Sequence, residues 1–239
     1  MIIHTFSVMR NEEYMLPYFL RYYETIADKI YIFDDYSTDG TREIAKAHPK
    51  VVLQDFPFTR GHSDDDQKQT NEWAYKKYSR GVADWVMLVD CDEIIYHPDI
   101  LSVLKRQRDS GIQALKTTGY QMVSATLPHT KGQIYDEVKI GGRSRGFDKP
   151  VVFDPALDVD MERGKHAVTI AGGIRPASAK LKLLHYRYMS RDFFIEKSLA
   201  TWKRSVDMDD DMIKYRMDRA LRWFDHVIKN PQELERLVA

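Results

Sequence analysis

Asp90, Cys91, Asp92 and Glu93 stand directly behind an apolar run, Trp85-Val-Met-Leu-Val89. Such a run of large and β-branched side chains predicts a short strand buried on both faces. In open α/β sheets ligands gather at the carboxyl ends of strands. Alternate side chains of an extended segment share a face, so Asp90 and Asp92 are expected to project together, with Cys91 opposite. Two adjacent carboxylates repel unless a cation lies between them, and Mg²⁺ is commonly held by one or two carboxylates plus substrate phosphates. The chemistry this points to is metal-assisted and acts on a phosphorylated substrate. His185 follows another short apolar stretch, Lys182 to Leu184, and is expected to complete the metal site with Asp92. A neutral imidazole suits Mn²⁺-like ions better than Mg²⁺.

Alternating strands and helices are needed to bring these residues together. Ile2 to Val8 predicts a first strand, followed at once by Arg10, Asn11 and Glu12. Leu16, Phe19, Leu20, Tyr23 and Ile26 recur at helical spacing, with Pro17 in the first turn. Lys29 to Phe33 predicts a second strand ending in Asp34 and Asp35, and a helix begins near Thr41. Val51 to Leu53 is a third strand, the segment through Asp66 a loop whose last aspartates open a helix, and Trp85 to Val89 the fourth strand. This alternation predicts a mostly parallel sheet covered by helices. Beyond Gly111, Ala114 to Met122 and Val151 to Phe153 are further strands, and two aromatic-rich helices close the chain. Lys131 to Gly146 is polar and glycine-rich, and it predicts an irregular loop that closes over the site as a lid.

With 239 residues, 43% hydrophobic and 30% charged, the chain is expected to form one domain over 1–239: a nucleotide-binding half (1–111), an acceptor side with the lid (112–190) and C-terminal helices (191–239). Lys+Arg and Asp+Glu are both 36, so no global field favours nucleic acid. No apolar run approaches the ~18 residues of a membrane span, and no signal core opens the chain; a soluble, cytoplasmic protein is expected. The single cysteine, Cys91, excludes an internal disulfide framework and a cysteine-rich zinc site.

Three motifs in order, Arg10-Asn11-Glu12, Asp34-Asp35-Tyr36-Ser37-Thr38-Asp39-Gly40-Thr41 and Asp90-Cys91-Asp92-Glu93, resemble those of GT-A-fold glycosyltransferases, more narrowly the family 2 group. His185-Tyr186, Ser190, Phe193 and Lys197 resemble the pattern that closes that group. The resemblance implies a GT-A, Rossmann-like α/β fold and transfer of a sugar from a nucleotide-sugar donor of UDP or GDP type, with Mn²⁺ or Mg²⁺ on its diphosphate. It implies that Arg10, Asn11 and Glu12 line the nucleotide, that Asp35 accepts a hydrogen bond from a base N–H, that Asp90 lies by the ribose and metal, and that Asp92 ligates the ion. Lys149, and less directly Arg143 and Arg145, are candidates for phosphate contact.

The acceptor, a saccharide or another hydroxyl compound, needs a base to deprotonate it if the transfer inverts configuration. Asp136, Glu137, Asp158, Asp160 and Glu162 all fall late enough in the chain to line an acceptor pocket. Asp158, Asp160 and Glu162 are preferred because they follow a strand; His166 is a further pocket candidate. Two rivals remain: a nucleotidyltransferase, against which the loop after the first strand lacks glycine, and a non-catalytic nucleotide- or sugar-binding module of the same fold.

Overall fold

The computed structural model describes residues 1–58, 63–165, 167–206 and 208–238. His166 and part of the loop expected before Asp66 lie outside the described residues. In chain order the elements are β1 (Ile3–Met9), α1 (Leu16–Tyr23), β2 (Lys29–Asp34), α2 (Thr41–Ala47), β3 (Val51–Asp55), α3 (Asp64–Ser79), β4 (Trp85–Leu88), β5 (Glu93–Tyr96) and α4 (Ile100–Asp109). They continue with β6 (Ala114–Ser124), α5 (Ile134–Glu137), β7 (Ile140–Arg143), β8 (Val152–Phe153), β9 (Val159–Met161), β10 (Val168–Ile170), β11 (Ala177–Met189), α6 (Arg191–Trp202), α7 (Asp210–Lys229) and β12 (Glu235–Arg236).

The class is α/β, as the alternation predicts. β3, β2, β1 and β4 lie side by side in that order and all run parallel. β4 is buried along its whole length, as its unbroken apolar run requires. The register sets Met9 opposite Asp34, and Phe6 opposite Leu88. The loops after β1, β2 and β4 therefore open at one edge of the sheet. β8 then joins β4 to β6 by antiparallel pairing, and β11 runs parallel to β6 and antiparallel to β5. One hydrophobic core spans the chain from Ile3 to Val238, and a smaller cluster of Val123, Phe224 and Val227 seats α7. Among the described residues no helix is long and apolar enough to cross a membrane.

Three expectations are corrected. Lys131 to Gly146 is not irregular: Gln133 and Asp136 form a capping box that starts α5, and β7 pairs with both β6 and β12. Two of its glycines mark close packing, since a Cβ on Gly141 would meet the carbonyl oxygen of Gln121 at 2.7 Å, and one on Gly142 would meet Trp223 at 3.1 Å. The acidic motif is not extended either, because Glu93 N–H donates to the Asp90 carbonyl at 3.0 Å and makes a turn between β4 and β5. The period-two rule does not govern a turn, so another cause must aim the two aspartates. Finally, Lys182 to Leu184 is only the middle of the 13-residue β11, whose lysines and register shifts hide it from the apolar pattern. At the start of α3, Ser63 Oγ accepts from Asp66 N–H at 3.3 Å, and the Asp66 side chain is fully buried.

Candidate active site

A cleft of about 840 Å³ opens at the carboxyl ends of β1, β2 and β4. α3 and the turn 162–165 wall one side, while β11, α6 and α7 wall the other. It gathers Arg10, Asn11, Glu12, Asp35, Asp90, Asp92, Lys149, Glu162 and His185 from loops far apart in sequence. Asp158 and Asp160 do not line it. Asp158 faces Lys76 and Arg80, at 3.3 and 2.5 Å, and Asp160 faces Lys68 at 2.6 Å, contacts that hold both carboxyls below the usual range. Asp136 is spent on the α5 cap, and Glu137 accepts from the backbone N–H groups of His129 and Thr130, each at 3.0 Å. Arg143 is paired with Asp148 at 2.6 Å, and neither it nor Arg145 lines the cleft.

Asp92 and His185 are brought together by pairing of β5 with β11. His185 lies opposite Glu93, and Tyr186 N–H donates to the Asp92 carbonyl at 2.7 Å. Asp92 Oδ2 and His185 Nε2 are consequently 3.2 Å apart. The imidazole stacks on Phe147 with ring centroids 4.3 Å apart. In the assigned orientation of the Gln121 amide, Oε1 is 2.8 Å from His185 Nδ1. That oxygen accepts, so Nδ1 carries a hydrogen. Nε2 is thereby aimed at the Asp92 carboxylate, and a cation lying between the two atoms would be held by both. Six-coordinate ions with bonds of ~2.0–2.1 Å place neighbouring ligands about 3 Å apart, so the pair fits a divalent ion. Among the described residues no group of three His, Cys, Asp or Glu could hold a metal. The remaining positions suit phosphate oxygens and water, the usual arrangement for Mg²⁺.

The charges around this pair are distributed unequally. Burial would raise the Asp92 carboxyl, but His185, Arg187 and Lys197 hold it well below its ordinary value. Asp90 contacts Lys165 directly and lies 3.8 Å from Lys149, and these cations keep its carboxyl low against the effect of burial. Lys149 is buried with its Nζ 2.5 Å from Glu93 Oε1; burial works against its charge, yet Glu93 and Asp90 raise its pKa. It thus buttresses the acidic turn from beneath, which explains how the turn holds its carboxylates in place. Cys91 is buried, and burial pushes its thiol up.

At the other end of the cleft, Lys197 Nζ sits 2.5 Å from Glu12 Oε2 and donates to the Asn11 carbonyl at 3.0 Å. Arg204 Nη2 meets Asp35 Oδ2 at 3.0 Å, and Arg10 donates to the Asp35 carbonyl at 2.6 Å. Lys165, Arg187 and Arg204 escaped the sequence reading. Lys165 owes its position to a left-handed backbone, φ 62°, following Gly164 at φ 69°; only the glycine was a visible signal. A second, shallower groove of about 640 Å³, which also touches Asn11, is lined by Tyr14, Pro17, Tyr18 and Arg21.

No family model and no curated protein matches the chain. Among solved structures, S. aureus TarS 1-349 in complex with UDP-GlcNAc aligns with a TM-score of 0.44 at 12% identity, over 89% of this chain and 69% of that one. Glucosyl-3-phosphoglycerate synthase from Mycobacterium tuberculosis, solved with Mn²⁺, UDP-glucose and phosphoglyceric acid, aligns at 0.37 and 22% identity, over 49% of this chain and 43% of that one. A 4-diphosphocytidyl-2C-methyl-D-erythritol synthase aligns at 0.45 and 13% identity, over 76% and 89%. The chain spans less than half the length of the mycobacterial enzyme. All three scores lie below 0.5.

Proposed function

We propose that the protein is a metal-assisted glycosyltransferase of GT-A, family 2-like type, moving a sugar from a UDP or GDP donor to a hydroxyl of a saccharide or other acceptor. The observation that carries this reading is the Asp92–His185 pair, 3.2 Å apart, at the carboxyl end of the parallel strands and in one cleft with Glu12, Asp35 and Asp90. Asp92 and His185 would hold the Mn²⁺ or Mg²⁺. When bound, the ion offsets the charge that a leaving diphosphate gains. Asp35 accepts a base N–H, and Arg10, Asn11 and Glu12 line the nucleotide. Lys149, a sequence candidate for phosphate contact, acts instead by holding Asp90 and Glu93 in place. Of the base candidates, Glu162 lines the cleft with an exposed side chain and takes the acceptor proton.

The test is a thermal-shift panel of UDP, GDP and their sugar conjugates, with and without Mn²⁺, followed by a transfer assay. Ligand at 100 times its Kd stabilises the native state by about 2.7 kcal/mol, roughly 5–11 °C for a chain of this size. Asp92→Ala is expected to lower transfer on the order of 100-fold or more and to abolish the Mn²⁺ dependence of nucleotide binding, with the fold retained. Wild-type turnover in that variant, or no nucleotide-dependent shift in the native protein, would sink the reading.

A further inference from the structure

Arg187 is a cation that the cleft holds in place with no carboxylate of the described residues in ion-pair contact. It follows His185 by two residues on β11, and the register against β6 shifts between His185 and Tyr188, a bulge that re-aims the strand beside the cleft. Its guanidinium lies over the rings of Phe194 and Trp202, at 5.8 and 5.4 Å from their centroids. Nη2 donates to Ser198 Oγ at 3.0 Å, and Ser198 is completely buried. Among the described residues these are its partners, and none is an anion. On the same wall Lys197 is paired with Glu12 and Arg204 with Asp35, whereas Arg216 of α7 is an exposed side chain that no aromatic ring of the described residues holds. Arg187 and Trp202 both line the cleft. The Arg187 charge also reaches Asp92, whose carboxyl it helps to hold low.

We infer that Arg187 is a substrate-binding residue that receives the diphosphate of the donor on the side of Asp92 facing α6. The inference rests on the nucleotide-sugar reading above and adds the residue that meets the leaving group. One guanidinium N–H is committed to Ser198, and the remaining donors form the planar fork that suits a phosphate. The aromatic rings of α6 fix the plane of that fork, so little side-chain freedom is lost on binding. As the bond from the anomeric carbon breaks, its electron pair stays on the diphosphate oxygen. The acceptor oxygen takes the sugar and gives its proton to the carboxylate base. Arg187 N–H groups then face an oxygen whose charge has risen.

The experiment uses the full chain with Arg187→Met, Arg187→Lys and Ser198→Ala, and calorimetry with inorganic diphosphate, UDP or GDP (whichever stabilises the native protein more), and the matching nucleoside, all with Mn²⁺. Arg187→Met is expected to weaken inorganic diphosphate and the nucleotide roughly 10- to 100-fold while leaving the nucleoside unchanged. Arg187→Lys keeps part of the affinity, and Ser198→Ala, which retains the charge, loses less. Unchanged diphosphate affinity in both Arg187 variants overturns the inference. So does an equal loss for nucleoside and nucleotide, the mark of a merely structural arginine. Native protein that binds diphosphate but neither nucleoside nor nucleotide overturns the donor reading and leaves Arg187 standing; binding of none overturns both. If Arg187→Met fails to fold, Arg187→Lys and Ser198→Ala carry the same comparison.

Discussion

The Glu12 carboxyl lies 2.5 Å from Lys197 Nζ, yet its pKa is pushed up to about 7. Burial is the largest cause; Asp92 and Asp90 add to it, and Lys197 opposes it. Since the ordinary value is 4.5, the folded protein takes up a proton here that the unfolded chain does not hold between 4.5 and about 7. This contribution to stability is complete below about 4.5 and is lost as the pH rises through about 7. Glu12→Gln cannot titrate. The stability of the native protein relative to that variant should therefore fall by roughly 3 kcal/mol between about pH 5 and about pH 8. Urea denaturation at each pH measures it, and a flat difference would mean that Lys197 keeps Glu12 ionised throughout. The carboxylates of Glu12, Asp35, Asp90 and Asp92 were legible as strand-end residues. The cations of the cleft, Lys165, Arg187 and Arg204, were not, because nothing near them in sequence marks what they face.

Between elements, the contact that fixes His185 depends on a glycine in another strand. A Cβ on Gly119 in β6 would overlap both the side chain and the backbone of Phe147, the ring that stacks on His185 at 4.3 Å. Gly119→Ala should cost about 1–3 kcal/mol through overpacking. It should also raise the Mn²⁺ concentration needed for half-maximal nucleotide binding, because the imidazole loses its fixed plane. Thermal melting and a metal titration test the two effects. Lost stability with unchanged metal dependence would mean that Gln121 alone orients His185. Glycines at 132, 141 and 142 gave the appearance of a mobile lid in the sequence; in the fold, 141 and 142 sit where strands and α7 approach too closely for a side chain.

Across the described residues, two ion pairs join α6 and the turn that follows it to the first loops: Lys197 with Glu12, and Arg204 with Asp35. Both bridge more than 160 residues of chain (197 − 12 = 185; 204 − 35 = 169), and both occupy the carboxylates assigned to the nucleotide. On the proposed reading, nucleotide binding is expected to be coupled to opening of α6. Lys197→Met and Arg204→Met each leave a carboxylate without its cation and should cost about 1–3 kcal/mol. Protease cleavage around residues 203–206 should become several-fold faster, while the parallel strands stay protected. Equal cleavage in the variants and the native protein would show that α6 is held by its packing alone.

The sequence by itself determined the parallel half of the sheet and the residues at its carboxyl edge, because both follow from local patterns: an apolar run of strand length, then acid, repeated with helices between. It did not determine β5, β7 or β12, which are short and take their pairing from distant partners, nor the three-residue strands β9 and β10, too short to show a pattern. Nor did it choose among the late carboxylates. Glu162 lines the cleft while Asp158 and Asp160 do not, because the short hairpin of β9 and β10 packs against α3 and its lysines draw those two aspartates outward. The decisive 3.2 Å between Asp92 and His185 joins residues 93 positions apart (185 − 92). Only the pairing of β11 with β5 creates that distance, since a ladder across the sheet sets it and no spacing along the chain encodes it.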